Sequence, residues 1–315
     1  MKKTLKVLSI LGLSIFLSIV TLMTIFIAGY IYVEDDLPKL PKNLSHINYR
    51  PPTEIYSSDG GLLKTIGLRN SIRLNMISWE FQNAILAVED HRFFNHSGID
   101  PVSFLRALLV NFKKRRLVQG GSTITQQLAK NLFFSFEKSW VRKFKELLIA
   151  LQMESSFTKS AILEAYSNQI YFGNGAYGIN EASLIYFGKH SNKLTLLQAA
   201  ILAGTVRSPN KFNPLNNREI AMNRAETVLA SMVREGFIDN LQKNNALNSE
   251  LELKQIKKSY NNNQYFVDAV LEELNIIYGR ELISSGGIRV FTTLNSKLQK
   301  RAEELSVEDF IIITL

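Results

Sequence analysis

The chain contains no cysteine. Structural disulfides, cysteine-ligated zinc, thiol catalysis and a lipidated N-terminal cysteine are therefore excluded. Proline is sparse, and four of the seven residues fall between Leu37 and Pro52. That concentration predicts an extended stalk there and leaves the rest of the chain free for regular structure. Charge is missing altogether from Val7 to Val33. As a helix those residues would span roughly 40 Å, enough for a hydrocarbon core of about 30 Å with room for tilt. Lys2, Lys3 and Lys6 precede the run and Glu34, Asp35 and Asp36 follow it. This asymmetry predicts a single-pass anchor with residues 1–6 in the cytoplasm and the bulk of the chain on the outer face. A cleaved signal peptide is the alternative. Its apolar region is usually shorter and ends in an A-x-A-like site, which is not evident near Ala28. No internal repeat is visible.

What is present is a chain of 315 residues, 46% hydrophobic and 21% charged, which excludes a disordered protein and allows one large or two small domains. The formal charge of +9 suits nucleic acid, anionic lipid or a phosphorylated substrate equally. Glu54 to Ile66 alternates weakly around Asp59-Gly60-Gly61, which predicts a small hairpin. From Ser78 to about Val233 the pattern is helical. Ser78 caps a helix with Phe81, Ile85 and Val88 on one face, and that helix ends at Glu89. Further helices are expected from about Thr123 to Asn131, from a Ser139 cap to about Glu154, from about Ser160 to Ile170, and from Leu196 to Ala203. Polar helices follow Pro214, with a low-complexity run at Asn261-Asn262-Asn263-Gln264. A strand is expected from Gly287 to Leu294.

Three blocks carry residues that core packing would not select. In the first, Glu89 and Asp90 lie after an apolar helix and before Phe93, His96 and Gly98. A carboxylate so placed can serve as a general base, although a solvated helix end has the same spelling. His96 reads either as a structural hydrogen-bonding group or as a catalyst. In the second, Gln126 and Lys130 share a helix face, as do Gln127 and Asn131. Ser122 and Thr123 stand at that helix start, where free N–H groups favour anions, and Lys130 adds a point charge suited to phosphate. An ordinary capped amphipathic helix is the plain alternative. In the third, Arg142 and Glu146 are four apart and Lys143 and Glu146 three apart. These form either a surface ion-pair network or a carboxylate held among cations to bind pyrophosphate or a divalent ion. Spacing alone does not choose. Phe104 to Val118, with Lys113-Lys114-Arg115-Arg116, can lie in a membrane interface. A nucleic-acid patch is the rival reading, which an anchor disfavours by placing this region outside the cell.

The blocks together resemble the peptidoglycan glycosyltransferase domain of class A penicillin-binding proteins and the monofunctional transglycosylases, glycosyltransferase family 51. The resemblance covers about residues 50–240 and five motifs in family order. They are Glu89-Asp90-x-x-Phe93-x-x-His96-x-Gly98; Gly121-Ser122-Thr123-x-x-Gln126-Gln127-x-x-Lys130-Asn131; Arg142-Lys143-x-x-Glu146; Ile162-Leu163-Glu164-x-Tyr166-x-Asn168 through Gly173; and Ala203-Gly204 to Arg207-x-Pro209, closing at Asn213-Pro214. It implies a mainly α, lysozyme-like fold behind one transmembrane helix. The implied divisions are an anchor at 7–33, a stalk at 34–53, the glycosyltransferase domain at 54–240, and a helical and β linker at 241–315 leading toward an absent transpeptidase domain.

The resemblance implies polymerisation of lipid II into β-1,4 glycan at the bacterial cytoplasmic membrane, with release of undecaprenyl pyrophosphate. Glu89 matches the general base. Glu146 matches the second carboxylate, which organises the pyrophosphate directly or through a divalent cation, magnesium or manganese. No organic cofactor is implied. Ser122, Thr123, Gln126, Gln127, Lys130, Asn131, Lys138, Arg142 and Lys143 match the donor and pyrophosphate site. The implied partners are lipid II, the growing glycan strand, membrane lipids and other cell-wall synthesis proteins, with no nucleic acid. Lys138 stands where the family commonly has Arg, which keeps charge but loses a bidentate phosphate contact. Ser167 replaces a usual Leu and Gln198 a usual Glu. Gly286 to Leu294 resembles the connection into a transpeptidase domain. Ser135-x-x-Lys138 and Ser156-x-x-Lys159 are coincidental matches to a penicillin-binding motif, since no Lys-Thr-Gly occurs. Two other functions stay open at this level: a muramidase or lytic transglycosylase, which also uses paired carboxylates, and a non-catalytic scaffold.

Overall fold

The computed structural model describes residues 2–44, 52–66, 71–115, 120–134, 139–254, 264–278, 283 and 287–302. Lys138, the Ser135 to Lys138 match, Arg116 and the Asn261-Asn262-Asn263 run lie outside the described residues.

The structure is mainly α. The first helix, α1 (Lys2–Val33), is long and apolar enough to cross a membrane. Four of its hydroxyls are spent on its own backbone. Ser14, Ser18, Thr21 and Thr24 each donate to a carbonyl three or four residues back, at 2.8–2.9 Å. In lipid, where water cannot satisfy them, this removes the cost of exposed polar groups. The last turns of α1 do not stand clear of the rest of the chain. Gly29 lets Phe144 approach to 3.2 Å of where a Cβ would sit, Phe26 meets Phe144 edge-on, and Lys145 pairs with Asp36 at 2.9 Å.

The segment expected as an extended stalk follows α1. Glu34 to Asp36 form one turn of 3-10 helix, and Leu37, Leu40 and the fully buried Leu44 pack onto the hydrophobic core. Prolines stop the helix, but three leucines in eight residues give the segment an apolar edge that is more stable against protein than in water. The hairpin is as expected: β1 (Thr53–Tyr56) pairs antiparallel with β2 (Leu62–Ile66) across the Asp59-Gly60-Gly61 turn. The expected C-terminal strand is β3 (Arg289–Phe291), and it lies parallel to β1, in register Glu54 to Arg289, giving the order β2-β1-β3.

The core is helical. It comprises α2 (Trp79–Glu89), α3 (Pro101–Lys114), α4 (Ile124–Phe133), α5 (Trp140–Ser156), α6 (Lys159–Gln169), α7 (Ile179–Phe187), α8 (Leu196–Thr205), α9 (Arg218–Arg234) and α10 (Asn240–Asn248), with α11 (Gln264–Tyr278) beyond. The caps read from sequence hold: the Ser78 and Ser139 hydroxyls accept from the N–H groups of Phe81 and Arg142. The helix at α7 has no counterpart in the sequence expectations. It starts at Gly178, which has no side chain to cap with, so the usual N-terminal signal is missing. Gly178 has φ +81, and a Cβ there would lie 2.8 Å from the Asn168 carbonyl. Helix α8 is buried on every side from Leu197 to Thr205, the state expected of a helix apolar all round. It packs against α2 and α9, and α4 packs against α5 and α6. These two helical groups share one continuous core that includes Phe81, Ile85, Ile124, Leu128, Met153 and Tyr166.

Candidate active site

The site grows from the C-terminal end of α2. Glu89 is the last helical residue there, and Asp90, with φ −160, leaves the helix. The Asp90 carboxylate turns inward and is almost wholly buried. Its Oδ2 accepts the Ile124 N–H at 2.9 Å, one of the orphan donors at the start of α4. His96 Nε2 lies 3.0 and 3.1 Å from the two Asp90 oxygens, while His96 Nδ1 accepts the Gly98 N–H at 3.2 Å. Because Nδ1 is an acceptor, the proton of the neutral ring is assigned to Nε2, which donates to Asp90. Thr123 Oγ1 donates to the Gly98 carbonyl at 2.8 Å and accepts the Gln126 N–H. Gly98, at φ +93, sits where a Cβ would come within 3.0 Å of the Ala150 carbonyl. The turn from Asp90 to Gly98 thus ties α2, α4 and α5 at one point. His96 is a hydrogen-bonding strut in this arrangement, the structural of the two readings.

That tie sets α4 alongside Glu89. Gln127 Nε2 donates to Glu89 Oε2 at 2.9 Å, and Tyr166 Oη, from α6, donates to Gln127 Oε1 at 3.0 Å. On α5, Glu146 is 1% exposed, so it is no part of a solvated network. Lys143 Nζ donates to Glu146 Oε2 at 2.8 Å and to Ser122 Oγ at 2.9 Å. Arg142 Nε lies 3.0 Å from Glu146 Oε1 but is not directed along a hydrogen-bond axis, so the contact is ionic. Between the two carboxylates stands Lys130. Burial draws its ammonium below the usual lysine range. The fields of Lys143 and Arg142 act in the same direction, and those of Glu146 and Glu89 oppose it. Among the described residues the Lys130 ammonium makes no salt bridge or hydrogen bond.

The predicted residues divide accordingly. Glu89, Gln127, Ser122, Lys130, Arg142, Lys143 and Glu146 are linked by contact or by field. Thr123 spends its hydroxyl inside the fold, Gln126 is buried, and Asn131 is exposed one position past Lys130. Two further groups were not among the predicted site residues. Tyr166 belongs to the fourth motif, and its apolar helix position reads as core. Arg224, on α9, has its guanidinium held below the ordinary range by burial first, then by Arg207, with Glu89 acting oppositely. Nothing in the polar spelling of α9 marks that residue. Only the close approach of α8, where Gly204 leaves room for the Arg224 stem, brings it near Glu89.

A divalent cation would find one protein ligand here and would need further oxygens from a bound anion. Glu146 would supply a single carboxylate, with Oε1 buried and outside any hydrogen bond. Among the described residues no three His, Asp or Glu side chains cluster to make a cage. Magnesium is commonly held in that fashion, by one carboxylate and phosphate oxygens.

Helix α3 borders the site and presents an unusual surface. Phe104, Leu105, Leu108, Leu109 and Phe112 are all more than half exposed, and Lys113, Lys114 and Arg115 follow them.

Comparison with known proteins places these features. Residues 59–233 match the family model described as Transglycosylase. The chain is 41% identical over 302 residues to penicillin-binding protein 1A of Aquifex aeolicus, covering 95% of this chain and 40% of that protein. It is 38% identical over 281 residues to penicillin-binding protein 1A of Escherichia coli, covering 87% and 32% respectively. The chain therefore spans about two fifths or less of the length of these relatives. A crystal structure of penicillin-binding protein 1A from Haemophilus influenzae aligns with a TM-score of 0.43 at 24% identity, covering 82% of this chain and 29% of that one.

Proposed function

The chain belongs to the transglycosylase family, and on that premise we propose that it polymerises lipid II into β-1,4-linked glycan strands at a membrane surface. The observation that carries this reading is the pair of carboxylates on separate helices with cations gathered at one of them. Among the described residues the Glu89 carboxylate faces a single amide donor, whereas Glu146 is enclosed by Arg142 and Lys143, and Lys130 lies in the field of both carboxylates. A base belongs at the first and an anionic leaving group at the second. Glycoside cleavage needs two carboxyl groups at the sugar but no cluster of cations beside one of them.

In this mechanism Glu89 takes the proton of the acceptor sugar's 4-hydroxyl through the oxygen that Gln127 leaves free. The alkoxide oxygen attacks C1 of the donor muramyl sugar, the C1–O bond to pyrophosphate breaks, and the α linkage inverts to β. Lys130, Arg142 and Lys143 neutralise the departing lipid pyrophosphate, which is electrostatic stabilisation of charge developing in the transition state. A divalent cation, when bound through Glu146 and phosphate, would add to that neutralisation. The charge asymmetry around α1 supports an N-terminus in the cytoplasm and a site on the outer face. The exposed apolar face of α3 supports a second membrane contact, suited to a lipid-linked substrate.

The test is incubation of the detergent-solubilised protein with labelled lipid II and a divalent cation. Polymer that a muramidase digests is expected from the wild type, and none from Glu89→Gln of unchanged circular dichroism. Polymer from Glu89→Gln at the wild-type rate would remove Glu89 from the mechanism.

A further inference from the structure

The geometry points to Tyr166 as a positioning residue for the reaction, one that fixes the Gln127 amide so that its N–H, not its carbonyl, faces Glu89. This rests on the glycosyltransferase reading for its kinetic consequences, but the arrangement itself is independent of the reaction.

A glutamine amide is nearly symmetric in shape and opposite in hydrogen-bonding character at its two ends. With Nε2 toward Glu89, the amide donates to a carboxyl oxygen at 2.9 Å, a contact that favours the ionised form. Turned over, its carbonyl would meet the carboxylate oxygen, acceptor against acceptor, and only a protonated Glu89 would tolerate it. A protonated Glu89 cannot accept a proton from substrate. The amide orientation therefore decides whether the base is available.

Tyr166 makes that choice. Its side chain is wholly buried, and among the described residues its hydroxyl has one partner, Gln127 Oε1 at 3.0 Å. If the amide turned over, the phenol could accept from the NH2 group, but its own proton would be left without an acceptor in a dry site, at a cost in free energy. The phenol also stays a donor throughout the working range. Burial first, then the negative charges of Glu89 and Asp90, push its ionisation well above the ordinary tyrosine value. Other charged groups whose fields reach Glu89 come from α4, Lys130, and from α9, Arg224, with Asp90 adjacent in the chain. Among the described residues none of these hydrogen-bonds to Glu89. The relay from Tyr166 to Gln127 is the one directional contact it has, and it occupies Oε2 while leaving Oε1 for the acceptor hydroxyl.

Tyr166→Phe keeps the ring and removes the constraint. It is expected to lower kcat roughly tenfold with KM little changed, and to move the acid limb of the kcat/KM profile up by about half to one pH unit, because the N–H favouring the ionised base is no longer held toward it. Gln127→Met, which fills similar space and cannot donate, should reproduce the same displacement of the acid limb. It also carries the test if Tyr166→Phe fails to fold. The double variant should show no further displacement, since both changes break one relay. An unmoved acid limb in either single variant, or additive displacements in the double, would overturn the assignment. Carboxyl titration by 13C NMR, with the Glu89 resonance identified by its loss in Glu89→Gln, separates the two levels of the argument. Absence of polymer from wild type defeats the glycosyltransferase reading alone. An unchanged Glu89 titration midpoint in both single variants defeats the relay alone.

Discussion

At the scale of the residue, the informative side chains are those whose surroundings work against them. Lys130 is the clearest case. Its ammonium is half-buried, next to the cations Lys143 and Arg142, and among the described residues has no ion-pair partner of its own. A lysine whose ionisation is held below its unfolded value stabilises the fold fully only above that unfolded value. The contribution is lost as pH falls through the folded one, so at neutral pH the charged form is a cost to folding. Lys130→Met is therefore expected to leave the melting temperature unchanged or to raise it by a few degrees, while reducing lipid II turnover on the order of a hundredfold. Parallel thermal melts and turnover rates check this. A large drop in melting temperature would mean that Lys130 holds structure and is not held in readiness for an anion. Asp90 shows the opposite economy. Two donors converge on it, the Ile124 N–H and the His96 Nε2–H, which lies within reach of both oxygens, and the carboxylate is consumed in joining helices.

At the scale of the element, α3 is latched by a titratable group. Arg106 on α3 lies 3.2 Å from His91 Nε2, which must be unprotonated to accept from it. Burial pulls His91 below the ordinary histidine value. Arg106 acts in the same sense, and Glu235, Asp100 and Asp90 oppose it. With the folded value below the unfolded one, the unfolded state binds protons first. The latch then contributes fully above about pH 6.5 and weakens as pH falls below that value. Amide exchange in α3, corrected for intrinsic rate, is expected to be faster at about pH 5.5 than at about pH 7.5, and His91→Gln should lose most of that pH dependence. Equal pH dependence in the variant would show that another group governs α3.

At the scale of the whole molecule, two apolar surfaces need a home outside the protein: α1, and the outer face of α3 from Phe104 to Phe112. A membrane satisfies both, with Lys113 and Lys114 at headgroup level. A chain lacking residues 1–33 is expected to retain binding to vesicles rich in anionic lipid, weakened by salt. The double change Leu105→Asp and Leu109→Asp should reduce that binding at least tenfold, since about 0.8 kcal/mol accompanies each methylene withdrawn from water. Sedimentation with vesicles measures it. Binding unaffected by the aspartates would confine membrane contact to α1.

The sequence by itself determined which segments become helices and where most of them begin. Apolar periodicity and side-chain caps at Ser78, Thr123 and Ser139 act over one or two turns, within reach of local physics. It also marked Glu89, Lys130, Arg142, Lys143 and Glu146, because charges at helical spacing in an apolar setting are conspicuous in the spelling alone. It did not determine α7, whose start has no cap to announce it, nor the packing of Leu37, Leu40 and Leu44, whose prolines spell a free stalk. It could not choose between a surface network and a buried cluster at Glu146, since the same spacing serves both. Burial beneath α4 and the bond from Lys143 to Ser122, 21 residues away, made that choice. The Tyr166 to Gln127 to Glu89 relay joins residues 39 and 38 positions apart on three helices. Such a contact exists only after those helices have packed, because hydrogen-bond direction depends on distances of a few ångströms that no linear spacing records.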